Sequence, residues 1–125
     1  MVQTCPIIAF LPTLDADKAR RFYAETLGLR LVAEDAFALV FDANGVMLRV
    51  VRVEQMTPAP YTVLGWQVTA LREYVTDLAA KGVRFLHYPP MQQTPEGIWT
   101  SPGGAQVAWF QDPDGNTLSL TQLAG

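Results

Sequence analysis

The chain holds one histidine, His87, and one cysteine, Cys5. A zinc, iron or nickel centre needs three or more His, Cys or carboxylate ligands at short range. Cys5 has no basic neighbour in sequence to draw out a thiolate and reads as a small strand residue. His87 is either a general base or a surface or rim histidine. No activated nucleophile and no His–carboxylate pair is legible. What remains is binding chemistry. Arg49 lies among apolar neighbours in Val46–Val53, where Arg52 near the end is the other charged residue. An arginine there needs a partner, a ligand or trapped water, unless its head snorkels to a rim or to a structural carboxylate. Thr117, Ser119 and Thr121 place hydroxyls at alternate positions of one segment. They either hydrogen-bond a ligand or form a solvated sheet face. Trp99 lies between Gly97 and the Pro102-Gly103-Gly104 corner, where it reads as a lid or stacking platform, or as closure of the core edge. Trp99, Trp109, His87 and Tyr88 are not placed by spacing alone.

The elements that must position these residues follow from periodicity. Asp15 suits an N-cap, and Ala19, Phe22, Tyr23 and Leu27 recur at helical spacing up to Gly28, a C′ stop. Phe22 and Tyr23 then belong to the core stripe. Thr69 suits the cap of a second helix with Leu71, Val75, Leu78 and Ala79 on one stripe, closed by Gly82. Strands are predicted at Cys5–Leu11, Arg30–Val32, Phe37–Phe41 and Val46–Val53, then at Thr62–Val68, Val83–Leu86, Gln106–Gln111 and Thr117–Gln122. Asp42-Ala43-Asn44-Gly45 is a strong hairpin turn, because Asn-Gly tolerates positive φ. Asp112-Pro113-Asp114-Gly115 joins the last two strands. Val46–Val53 is apolar on both faces except for Arg49 and, near its end, Arg52, which predicts burial on both sides.

The two turns expose a repeat. Asp42–Val50 lies against Asp112–Leu120 without a gap at an offset of 115 − 45 = 70, and the helix-end glycines lie at 82 − 28 = 54. The second copy therefore carries an insertion of about 16 residues within Tyr88–Gly104. Each copy reads as strand, helix, then three strands, with a break near Pro58–Pro60.

Two βαβββ copies in one short chain resemble the vicinal-oxygen-chelate superfamily, which includes glyoxalase I, bleomycin-resistance proteins and extradiol dioxygenases. Asp15…Phe22-Tyr23…Leu27-Gly28-Leu29 and Asp112-Pro113-Asp114-Gly115-Asn116-Thr117-Leu118-Ser119-Leu120 carry the resemblance, which covers nearly the whole chain. It implies an α+β fold in which two βαβββ modules form a cup-shaped mixed sheet with helices outside. The chain is then one domain over 1–125, with module one at about 4–57 and module two at about 61–122. Active relatives hold a divalent metal in the cup through about four side chains, usually His and Glu. Carried over one at a time, those positions fall on Ile8, Arg49, Val63 and Ser119. An arginine at a ligand position repels a cation: like charges at 4 Å cost about 4 kcal/mol at an effective dielectric of 20, and a dication doubles that. No metal and no cofactor are therefore expected.

The resemblance and strand parity together give a cup lining of Ile8, Phe10, Met47, Arg49, Val63, Thr117 and Ser119, with Trp99 and His87 added from the insertion and strand end. The leading expectation is a small-molecule-binding protein that holds a partly apolar ligand in the inter-module cup, as drug-sequestering relatives do. The alternatives are a lyase or dioxygenase-like enzyme acting without the usual metal, with Arg49 as electrophile and His87 or Tyr88 as acid or base, and a subunit whose cup is vestigial. Short relatives usually form homodimers, so a homodimer is expected. Composition sets outer limits. The 125 residues carry 9 basic and 12 acidic side chains, a net charge of −3, and no Lys/Arg cluster, which argues against a nucleic-acid partner. Mean hydropathy is +0.13, which excludes a disordered tail. One cysteine allows no internal disulfide and fits a reducing compartment. The apolar run Cys5–Pro12 is too short to span a membrane and lacks a basic leader, so a cytoplasmic protein is expected.

Overall fold

The computed structural model describes residues 1–125. It divides into two compact units, Met1–Thr57 and Pro58–Gly125, each built on one four-stranded mixed sheet.

In the first unit a short 3-10 turn, Val2–Thr4, precedes β1 (Ile8–Thr13). Cys5–Ile7 are not in the strand, which begins three residues later than expected. Helix α1 (Ala16–Arg20) runs on as a π-helical stretch, Arg21–Thr26. Asp15 caps it, its carboxylate accepting from the Lys18 N–H at 3.2 Å. Strands β2 (Arg30–Glu34), β3 (Ala38–Ala43) and β4 (Val46–Arg52) follow. Their order is β1-β4-β3-β2, with β1 parallel to β4 and the other pairs antiparallel. Asn44 (φ 51) and Gly45 (φ 90) make the β3–β4 turn, the two positive φ values that a two-residue hairpin of this twist requires.

Parity divides this sheet. Leu11, Leu39, Phe41, Leu48 and Val50 are buried on one face, where Tyr23 of the helix meets Phe41 at 5.7 Å between ring centroids. Burying side chains of this size stabilises by about 1.5–3 kcal/mol each. The expectation that β4 is buried on both faces is not met: Leu48 and Val50 are fully buried, while Met47 on the other face is 42% exposed. An apolar sequence on both sides of a strand records what each face tolerates, and the helix packs on one.

Acidic side chains tie the edges of this unit. Glu34 accepts from both Arg20 and Arg52, and Arg20 also donates to Asp17 at 2.9 Å. Asp35 accepts the Phe37 and Ala38 N–H groups at 2.8 and 2.9 Å, and Asp42 accepts that of Gly45 at 2.8 Å. Those backbone donors hold the Asp35 carboxyl below its ordinary range, with the Arg49 and Arg52 charges adding to them. Asp42 is lowered by the Gly45 N–H first and Arg30 next, and Glu34 by its hydrogen bond from Arg20. A carboxyl whose pKa is lower folded than unfolded lends stability that is complete above the ordinary carboxylate range and is lost as pH falls through the folded value. The urea midpoint is therefore expected to fall below about pH 4. Asp35→Asn keeps an acceptor oxygen and removes the titration, so it should flatten part of that slope; an unchanged slope would contradict the assignment.

The second unit contains β5 (Thr62–Gln67), α2 (Leu71–Ala80), β6 (Trp99–Thr100), β7 (Gln106–Gln111) and β8 (Thr117–Gln122). The order is β5-β8-β7-β6, with β5 parallel to β8. Leu71, Val75 and Leu78 form the buried stripe of α2, over Ala108, Phe110, Leu118 and Leu120. Thr69 does not cap this helix. The N-cap position is Ala70, and the first N–H, that of Leu71, is met by the Gln122 side-chain oxygen at 2.9 Å. The cap comes from 51 residues away, so no local pattern announces it. Gln122→Ala should cost about 1 kcal/mol in chemical denaturation; a cost below a few tenths would show that water replaces the cap without loss.

Val83–Leu86 forms no full strand. Phe85 bridges to Phe110, and the Leu86 N–H donates to the Trp109 carbonyl at 2.8 Å. The insertion supplies the rest of that sheet edge, with Trp99 and Thr100 of β6 pairing with Val107 and Gln106. Trp99 is thus a strand residue and not part of an irregular loop.

The repeat holds in register with single-residue differences in the first helix, in the closing turn and at Val63 of β5. Gly28 follows its N-cap by 28 − 15 = 13 residues and Gly82 follows its own by 82 − 70 = 12. The π-helical stretch absorbs the extra residue, as such bulges do. In the turns, Asp42 pairs with Met47 and Gln111 with Thr117, so Asp42 corresponds to Gln111, and the ungapped match of the two turns is off by one residue. Arg49 and Ser119 remain equivalent, because the shift is taken up before β8.

Candidate functional site

Of the predicted residues, Ile8, Phe10, Met47 and Arg49 fall on the open face of the first sheet and Thr117 and Ser119 on that of the second, opposite the helices. In the first unit, cross-strand rows run Ile8–Met47–Asp42–Arg30 and Phe10–Arg49–Val40–Ala33. Ile8, Phe10, Met47 and Arg49 therefore share one face. Ile8 and Phe10 are 46% and 62% exposed, and Arg49 is half-buried. The ion-paired arginines are Arg20, Arg30, Arg52 and Arg72. The Arg49 guanidinium forms neither an ion pair nor a side-chain hydrogen bond within the protein. It stands in a wall of Phe10, Val40, Met47 and Val51 with its five donors free. On the same face a hollow of about 270 Å³ is lined by Val32, Val40 and Met47 together with Arg30 and Asp42, the last two joined at 3.3 Å.

In the second unit, Ser119 lies between Gly65 and Trp109, and Thr117 between Thr62 and Gln111. Ser119 and Thr117 are 8% and 6% exposed, and neither hydroxyl bonds to a protein group. Gly65 has a steric role: a Cβ there would come within 2.5 Å of the Ser119 Oγ. Trp109 is flanked by Tyr88, edge-on at 5.5 Å, and by Trp99 at 6.1 Å. Gln93 fixes the chain beneath them, accepting from the Tyr88 N–H at 2.7 Å and donating to the Leu86 and Gly97 carbonyls at 2.9 and 2.8 Å. Trp99 also lines a hollow of about 480 Å³ with Gln92, Gln93, Thr94, Ile98 and Thr100.

His87 lies at the start of the same insertion. Its Nε2 meets the Thr94 carbonyl at 3.4 Å, and no carboxylate pairs with it. Val63 is the extra residue of a register shift: Thr62 pairs with Thr117 and Leu64 with Leu118. Thr62, and not Val63, thus takes the row matching Ile8. Of the four residues that spacing leaves unplaced, Trp109, Tyr88 and Trp99 come together in this cluster. The alternation of Val107, Trp109 and Gln111 with the core residues Ala108 and Phe110 was the signal available for Trp109. Tyr88 depends on the Gln93 bonds, which leave no trace in sequence pattern.

A divalent metal of the kind implied by resemblance does not fit these residues. The four positions offer two hydrocarbon side chains, a guanidinium and a hydroxyl, and no three His, Cys, Asp or Glu side chains come together as ligands. No helix is long and apolar enough to cross a membrane.

Residues 7–120 match the family model described as Glyoxalase/Bleomycin resistance protein/Dioxygenase superfamily. No curated protein sequence matches the chain. Among solved structures, a member of that superfamily from Sphaerobacter thermophilus superposes with a TM-score of 0.76 at 22% identity, over 98% of this chain and 100% of that one. A lactoylglutathione lyase from Agrobacterium tumefaciens gives 0.74 at 17%, over 95% and 93%. A genomically encoded fosfomycin resistance protein from Listeria monocytogenes gives 0.74 at 16%, over 94% and 92%. At these identities the likeness is one of fold.

Proposed function

The chain belongs to the Glyoxalase/Bleomycin resistance protein/Dioxygenase superfamily, and from that premise we propose that it is a metal-free protein that binds a small, partly apolar organic anion. The observation that carries this reading is Arg49: a half-buried guanidinium with no ion pair and no side-chain hydrogen bond in the protein, in an apolar wall, at a position where the resemblance places a metal ligand. A partly buried cation with free donors is best satisfied by a carboxylate or another charged acceptor, through a charge-assisted bond worth roughly 1.5–3 kcal/mol. Ile8, Phe10 and Met47 offer the apolar contact beside it. Fosfomycin resistance and lactoylglutathione lyase activity are named for two structural relatives. For this chain, sequestration is favoured over catalysis because no acid–base pair accompanies Arg49.

Titration with 1-naphthoate in the presence of EDTA tests the reading. Saturable one-to-one binding with the probe recovered unchanged is expected; dependence on an added metal, or chemical conversion of the probe, would overturn it. Elemental analysis of the purified protein should likewise find far less than one transition metal per chain, and a stoichiometric metal retained through mild chelation would contradict the reading. A symmetric homodimer in a cytoplasmic setting belongs to the same proposal. The exposed apolar residues of β1 support the dimer, and light scattering should give about twice 13.8 kDa.

A further inference from the structure

We infer that the outer edge of the second sheet, where the insertion meets β6, holds a separate binding site for an uncharged sugar ring. It goes beyond the anion at Arg49 and rests on other residues. The site is the hollow of about 480 Å³ lined by Gln92, Gln93, Thr94, Ile98, Trp99 and Thr100. Neighbouring residues of both strand parities line it, while Val107, Trp109 and Thr121 of the open face do not. The hollow therefore lies beyond the last strand of the sheet, on a segment that has no counterpart in the first unit.

The hollow is an antiparallel ladder left unfinished. The Thr94 N–H donates to the Ile98 carbonyl at 2.8 Å, and Gln93 bridges to Trp99. Hydrogen-bonded pairs alternate along such a ladder, so the next pair to bond would be Gln92 with Thr100. The Ser101 N–H donates to the Ala105 carbonyl at 2.7 Å, so by the same alternation Thr100 turns its backbone groups away from β7. Before that pair can close, the chain turns off, the Met91 N–H donating to the Tyr88 carbonyl at 2.7 Å. The Gln92 N–H and the Thr100 carbonyl are left without a partner in the protein, and the Gln92 amide and Thr100 hydroxyl beside them are exposed and unbonded. The rest of the lining is fixed. Gln93 donates to the Leu86 and Gly97 carbonyls, and the Thr94 hydroxyl accepts from the Ile98 N–H at 3.0 Å. A frame held in this way loses little freedom when a ligand enters. Its chemistry selects the ligand. The lining has no ionisable side chain, and the Glu96 carboxylate in the same loop is held by Arg72 at 2.6 Å, so a charged group would be desolvated there without a partner. Free donors and acceptors side by side suit hydroxyls, which do both. The Trp99 ring adds a flat apolar surface for the C–H face of a pyranose.

Titration with methyl α-D-glucopyranoside, followed on the indole N–H signals by ¹H–¹⁵N NMR, tests the site. The Trp99 signal should move saturably at about millimolar sugar. Trp66, on the strand at the far edge of the sheet, should stay in place. Sorbitol offers similar hydroxyls without a ring face and should bind about tenfold more weakly. Trp99→Leu, and separately Gln92→Ala with Thr100→Val, should each weaken the sugar about tenfold. The second variant breaks no side-chain bond within the protein, so it decides the matter even where Trp99→Leu fails to fold. An unmoved Trp99 signal, equal binding of sorbitol, or unchanged affinity in the folded Gln92→Ala, Thr100→Val protein would overturn the site. A protein that binds 1-naphthoate through Arg49 yet ignores the sugar keeps the first reading and loses this one.

Discussion

Asp112→Ala is expected to lower the stability of the protein by about 3 kcal/mol. The Asp112 carboxylate is buried and accepts three hydrogen bonds, from the Asp114 N–H at 2.9 Å, the Asn116 N–H at 3.0 Å and the Asn116 side-chain amide at 2.8 Å. At roughly 1 kcal/mol each these reach the stated value, and the Asn116 donors left behind are themselves buried. Asn116 precedes Thr117, so the turn sets where β8 begins and hence which hydroxyls reach the open face. Asp112→Asn separates the contributions. It keeps one acceptor for the two backbone N–H groups and places an amide against the Asn116 amide, so it should cost distinctly less than Asp112→Ala. Urea midpoints for the two variants check this; equal losses would mean that the charge, and not the geometry of acceptance, holds the turn.

Both turns, both helix-end glycines and most strands were legible because short-range chemistry sets them. Gly28 and Gly82 adopt φ of 76° and 94°, and Asn44-Gly45 is a hairpin turn wherever its flanks alternate. The features that escaped are set by contacts distant in sequence. Gln122 caps a helix 51 residues before it, and Phe85 reaches its sheet edge alone because Trp99 and Thr100, from the insertion, occupy the rest. The π-helical residue and the Val63 shift are single insertions that leave the hydrophobic pattern almost unaltered, so pattern alone does not detect them. Arg49 was legible as an anomaly of composition within its strand. That no carboxylate pairs with it became visible only once the positions of all the carboxylates were known.

Replacing Arg49 by leucine should weaken 1-naphthoate by about ten- to a hundredfold, since each 1.4 kcal/mol is a factor of ten and a charge-assisted bond in a partly buried setting supplies one to two such factors. The fold should tolerate the change. Arg49 makes no ion pair, so its removal leaves no orphaned carboxylate, and leucine suits a wall of Phe10, Val40 and Met47. The uncharged analogue 1-naphthol separates anion recognition from general apolar contact, because it presents the same rings without the carboxylate.

The most direct measurement is calorimetric titration of the unsubstituted protein and Arg49→Leu with 1-naphthoate and 1-naphthol, in EDTA, with the melting temperature of each protein recorded alongside. The account predicts that naphthoate affinity falls ten- to a hundredfold, that naphthol affinity changes less than about twofold, and that the melting temperatures agree. Undiminished naphthoate binding by a folded Arg49→Leu protein would contradict it.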